Sequence, residues 1–302
     1  MTDAHPLALA LAAQADAQIN ELARARGLGR DTFDTLVHKA TGLLEFAGDD
    51  ATGTADIIRD HRGVLRAVAR LIDDPAADEI PPSNDEVYAA VLDITELDSI
   101  TSALGRVGSD RLLRHLIGDD PAGDRRDRLG LSFAAVCARA GLPVEIDPGP
   151  SGEAGVVGVT LDRWPIAAAA AVPLAPGELE VESRRAGEAL RRSGRPGLIV
   201  LEAGMLLDWS PINVADDATA VAIMNERLDA LMIGVRDRVA DAAGTDHAFG
   251  LVLHATLPAL NAASRRMLFA ECLRAVNLCD ADDPRIHGFQ TFITALGKAD
   301  AG

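Results

Sequence analysis

Apolar residues recur at three- and four-residue spacing through the first 120 positions, the period of helices that each bury one face. Leu7, Leu11, Ile19 and Leu22 share one side of a first helix. Phe33, Leu36, Leu43 and Leu44 share one side of a second, for which Asp31 is a suitable N-cap. Ile57, Ile58, Leu65, Val68 and Leu71 define a third, starting near Ala55. The acidic, proline-bearing stretch 73–85 reads as an exposed connection. A further helix then carries Val87, Val91, Ile94, Leu97, Ile100 and Leu104 on its apolar side.

From Asp124 the period changes. A helix over 124–140 stops at Gly141, and short strand-like runs follow at Leu142–Ile146, Val156–Leu161 and Ile166–Val172. The last two are joined by Asp162-Arg-Trp-Pro165, a compact turn. A helix over 178–192 closes at Ser193-Gly194, and Gly197–Leu201 has the continuous apolar character of a buried central strand. A long helix near 217–242, a strand at Phe249–His254 and helices near Arg265–Val276 and Asp283–Leu296 complete the pattern. The expected fold is α/β in the mixed α+β sense: a helical region over 1–120, then over 121–302 a mixed sheet flanked by helices. Asp-Asp-Pro recurs at 73–75, 119–121 and 282–284 and is read as a helix stop-and-restart device, with Asp capping and Pro in the first turn.

Composition narrows the class. Hydrophobic residues make up 48% of the 302, and aromatic residues only 3%, so the core must be built from aliphatic side chains. No apolar run reaches the roughly 18 residues that a membrane-spanning helix needs. The apolar stretch 6–13 lacks the positively charged start of a secretory signal. Three cysteines, Cys137, Cys272 and Cys279, do not make an even disulfide framework and point to the cytoplasm. Net charge is −17, unevenly spread: residues 1–120 carry 11 basic and 22 acidic side chains, and 121–200 carry 10 of each. Such a surface disfavours nucleic acid, whose phosphates it repels.

The order helix, strand, strand, strand, helix, strand over 124–202 is that of the restriction-endonuclease-like, or PD-(D/E)XK, superfamily. Arg128-Leu-Gly-Leu-Ser-Phe-Ala-Ala135 with Ala140-Gly-Leu-Pro-Val144 resembles its first helix and exit. Gly158-Val-Thr-Leu-Asp-Arg-Trp-Pro-Ile166 resembles its central hairpin, and Arg192-Ser-Gly-Arg-Pro-Gly-Leu-Ile-Val-Leu201 its closing helix-to-strand passage. The resemblance implies a metal-dependent nuclease, with an Asp on the second strand and Glu-x-Lys on the third. Those residues hold Mg²⁺ at the scissile phosphate and support the attacking water.

This chain lacks them. The second-strand position falls at Val156, and the third-strand Glu and Lys positions fall on Ala169 and Ala171. Ala167, Ala169 and Ala171 share one strand face, and methyl groups neither bind Mg²⁺ nor move protons. Glu153 and Asp162, with Glu178, Glu180 and Glu182, lie close enough in sequence for a displaced carboxylate to serve. No Lys occurs between Ala122 and Leu201, and Arg is a poor base.

Other candidates have simpler readings. Arg184, Arg185, Arg191 and Arg192 form an exposed arginine ridge that would suit phosphate. Glu180, Glu182 and Glu188 interleave with it, as on an ordinary solvated face. Cys272 and Cys279, seven apart on one expected helix, with His287 and Asp280 nearby, are better read as buried thiols than as a zinc site. His247 and His254 flank an expected strand without a visible partner.

The expected function is therefore a non-catalytic interaction or regulatory role on a nuclease-like scaffold, with an unidentified protein partner and neither cofactor nor membrane. A nuclease with displaced carboxylates, the one reading that needs Mg²⁺, and a structural subunit of a larger assembly are the alternatives.

Overall fold

The computed structural model describes residues 30–47, 53–74, 82–105, 121–146, 154–161, 163–207, 212–214, 216–261, 266–280 and 282–299. The expected first helix lies outside them. The chain divides into two compact units, 1–98 with 264–266, and 99–263 with 267–302.

The first unit is helical. Helices α1 (Arg30–Ala47), α2 (Gly53–Asp73) and α3 (Asn84–Leu104) follow one another, the last continuing past the unit boundary. Leu36 and Leu43 of α1, Ile58 and Leu65 of α2, and Ile94 and Leu97 of α3 are buried, as their spacing predicts, and Ala40, Ala55 and Ala90 join them, whereas Ile57, expected on the same face of α2, is 49% exposed. An ion pair, Lys39 Nζ to Asp98 at 2.8 Å, and a hydrogen bond between His61 Nε2 and Asp93 Oδ2 at 2.8 Å tie α3 to its neighbours. The start of α3 is a capping box. The Ser83 backbone N–H donates to Glu86 Oε2 at 2.7 Å, and the Glu86 N–H donates back to Ser83 Oγ at 3.3 Å.

The second unit is a sheet between two helical layers. Helix α4 (Pro121–Arg139) leads into β1 (Val144–Glu145), β2 (Val156–Leu161) and β3 (Trp164–Ala171). Next come α5 (Leu179–Ser193), β4 (Gly197–Glu202), β5 (Ile212–Val214) and α6 (Asp217–Ala243). A long hairpin, β6 (Ala248–Asn261) and β7 (Arg266–Asn277), and helix α7 (Arg285–Ala299) follow. The sheet order is β1-β2-β3-β4-β6-β5, with β7 also pairing with β6. β1, β2 and β3 run antiparallel in sequence, and β3, β4, β6 and β5 pair in parallel. The mixed character follows from the connections. Two residues separate β2 from β3 in sequence, whereas the steps from β3 to β4 and from β4 to β6 each carry a helix.

Strand alternation assigns the layers. Val156, Ala167, Ala169, Ala171, Ile199, Leu201, Leu251 and Leu253 form one core with Leu179, Ala186, Ala189 and Leu190 of α5 and Met224, Leu228, Val235 and Val239 of α6. On the other face lie α4 and α7, where Phe133 meets Phe292 at 5.9 Å between ring centroids and Phe249 meets Phe289 at 6.4 Å. Alanine on β3 lets helices approach the sheet closely. Gly187 serves the same end between helices, since a Cβ there would overlap the Ala243 carbonyl of α6.

Four sequence expectations change. The stretch expected as a helix near Arg265–Val276 is strand β7. Its Met, Leu, Ala, Glu and Arg favour helix locally, but pairing with the 14-residue β6 prevails. Cys272 and Cys279 therefore do not share a helix. Cys272 is buried on β7, and Cys279 lies beyond its end with Sγ 3.7 Å from the Phe249 carbonyl oxygen. The hairpin turn is tighter than Asp162–Pro165, because pairing continues to Leu161 opposite Trp164, with Arg163 at φ 74°. Helix α1 starts at Arg30, so Asp31 lies inside it and is not its N-cap. The Asp-Asp-Pro device at 282–284 does cap a helix: the Arg285 N–H donates to Asp283 Oδ1 at 2.9 Å where α7 begins.

Candidate functional site

In open sheets of parallel strands, ligands bind beyond the carboxyl ends of the strands, where helices begin and backbone groups are free. Here the aligned set Ala171, Leu201 and Leu253 lies at the carboxyl ends of β3 and β4 and midway along β6, which runs on to Asn261. Glu202 and His254, paired in register one residue further on, are the first polar layer. His254 is buried and Glu202 half-buried.

At the carboxyl end of β3 the charged residues converge. Arg126, near the start of α4, clamps Glu182 of α5 through two bonds, Nε to Oε2 at 3.1 Å and Nη2 to Oε1 at 3.0 Å. Such a two-pronged guanidinium–carboxylate pair is among the stronger polar contacts available to a protein. Arg185 adds a bond from Nε to Glu182 Oε2 at 3.3 Å and another from Nη2 to the Ala170 carbonyl at 2.6 Å. The Val172 N–H also donates to Glu182 Oε2, at 3.3 Å. The cluster thus takes up backbone groups at the point where β3 ends. Burial by itself would raise the Glu182 pKa; the Arg126 bonds, the Arg185 charge and the Val172 N–H outweigh it and hold the carboxyl below its ordinary value.

A second anchor lies beside the first. Asp127 accepts a hydrogen bond from the Gly155 N–H, and the Gly155 carbonyl accepts one from the Ala170 N–H at 2.9 Å. Gly155 has φ 77°, and a Cβ there would press on Ala170 and Arg126, so this position requires glycine. The start of β2, the end of β3 and the first turns of α4 and α5 are in this way locked together.

The positions at which the resemblance places catalytic residues are occupied by core. Val156 lies directly opposite Ala169 in the hairpin register. Val156 is 9% exposed, Ala169 1% and Ala171 0%, all within the apolar cluster under α5. Glu153 and Asp162 lie outside the described residues. Glu180 binds Arg238, with Nη2 at 2.7 Å, and Glu178 accepts from the Leu174 N–H at 2.9 Å. Of the neighbouring carboxylates considered above, Glu182 is the one seen to bond to the end of β3.

No family model, no curated protein and no solved structure matches this chain.

The arginines do not form one ridge. Arg184, Arg191 and Arg192 are exposed, and Arg192 approaches Glu188 at 3.9 Å. Arg185 turns inward to Glu182 and Ala170. Arg195 reaches Glu145 of β1 at 2.8 Å, and Arg238 joins α6 to Glu180. Among the described residues no group of three or more His, Cys, Asp or Glu side chains is arranged to hold a metal ion. No described helix is long and apolar enough to cross a membrane.

Arg126 is the residue that sequence reasoning missed. It sits in Asp124-Arg-Arg-Asp-Arg128, a run that looks like a solvated helix face, and its partner is 56 residues away. Glu182 did leave a signal. The spacing of Leu179, Glu182, Ala186 and Ala189 places the carboxylate on the inward stripe of α5, where a charge needs a partner.

Proposed function

We propose that the second unit is a nuclease-like scaffold that acts by binding a protein partner and does not cut nucleic acid. One observation carries the reading. The hairpin positions at which the resembling family keeps its metal-binding and lysine side chains, Val156, Ala169 and Ala171, are apolar and packed under a helix. The resemblance itself draws support from pairing. β1, β2 and β3 make an antiparallel meander, and β3 continues through α5 into a parallel β4, after a helix that covers the opposite face. Within this unit residues 201–302 carry 14 acidic and 8 basic side chains, an excess that agrees with a basic protein surface as the partner and disagrees with a phosphate backbone.

The test is incubation of the full chain with single- and double-stranded DNA and RNA in Mg²⁺ and in Mn²⁺, alongside thermal unfolding with and without each ion. The expected results are no cleavage and no metal-dependent rise in Tm. Cleavage that needs the metal and disappears in Glu182→Gln would overturn the proposal. It would favour the second reading, a nuclease with displaced ligands, for which the bonding of Glu182 to the end of β3 and the place of Glu202 at the end of β4 are the supporting observations.

A further inference from the structure

We draw no further inference here: the strongest candidate, the side-by-side carboxylate and imidazole of Glu202 at the carboxyl end of β4 and His254 midway along β6, carries none because both residues already have interaction partners and no third metal-ligating group joins them among the described residues, so nothing in the structure says what a ligand there would be.

Discussion

A single carboxylate governs the polar chemistry at the end of β3. Glu182 keeps its charge in a buried place because two guanidiniums and a backbone N–H surround it. Removing the Arg126 clamp leaves a buried charge with fewer partners, so Arg126→Ala is expected to lower unfolding free energy by about 2–3 kcal/mol in urea titration. The same contact makes stability depend on pH. The folded-state pKa of Glu182 lies below its ordinary 4.5, so its contribution is complete above about pH 4.5 and is lost as pH falls through the lowered value. Glu182→Gln should therefore be less stable than the parent at pH 7, and the gap should narrow on acidification below pH 4.5. An unchanged gap in urea midpoints across that range would show that the carboxylate is not held as described. Asp283 behaves alike at the start of α7, where the Arg285 hydrogen bonds hold its pKa down to about 2.

At the scale of elements, β3 and α5 form one unit of packing. The strand offers alanine because α5 lies against it, and α5 in turn offers Gly187 because α6 lies against α5. Gly187→Ala should push α5 and α6 apart and cost about 1–3 kcal/mol, read as a lowered denaturation midpoint with the slope unchanged. The strand itself gives a sharper test of whether this face can accept charged groups. The double variant Ala169→Glu, Ala171→Lys places two ionised groups in the apolar layer beneath α5. The expected cost exceeds about 4 kcal/mol, a large part of a domain's stability, so the variant should lose cooperative unfolding and gain no activity. A well-folded double variant that cleaves nucleic acid in Mg²⁺ would mean that this face can open. The error at β7 belongs to this scale as well. Its local sequence favours helix, and what makes it a strand is pairing with β6, the other arm of the same hairpin, which residue-by-residue helix propensity does not register.

For the whole molecule, charge is the dominant property. A net −17 over 302 residues is self-repulsive, and most of the described ion pairs have at least one half-exposed partner and so contribute little to stability. Salt screens the repulsion more than it weakens such pairs, so Tm should rise by about 2–4 °C between low and near-molar NaCl. A fall in Tm over that range would show that ion pairs, and not repulsion, dominate. The sequence by itself determined the helical first region, the α/β character of the second, the positions of β2, β3, α5 and β4, and the alanine composition of β3. Each of these is written in local periodicity or in the identity of single residues. Tertiary structure alone decided that Arg126 closes on Glu182 and that β7 is a strand. It also decided that the alanine face of β3 is filled core and not an open cleft. The Arg126–Glu182 clamp and the filled β3 face depend on groups far apart in sequence that meet only when sheet and helices pack, and β7 depends on hairpin pairing that overrides its own helix propensity; local periodicity records neither.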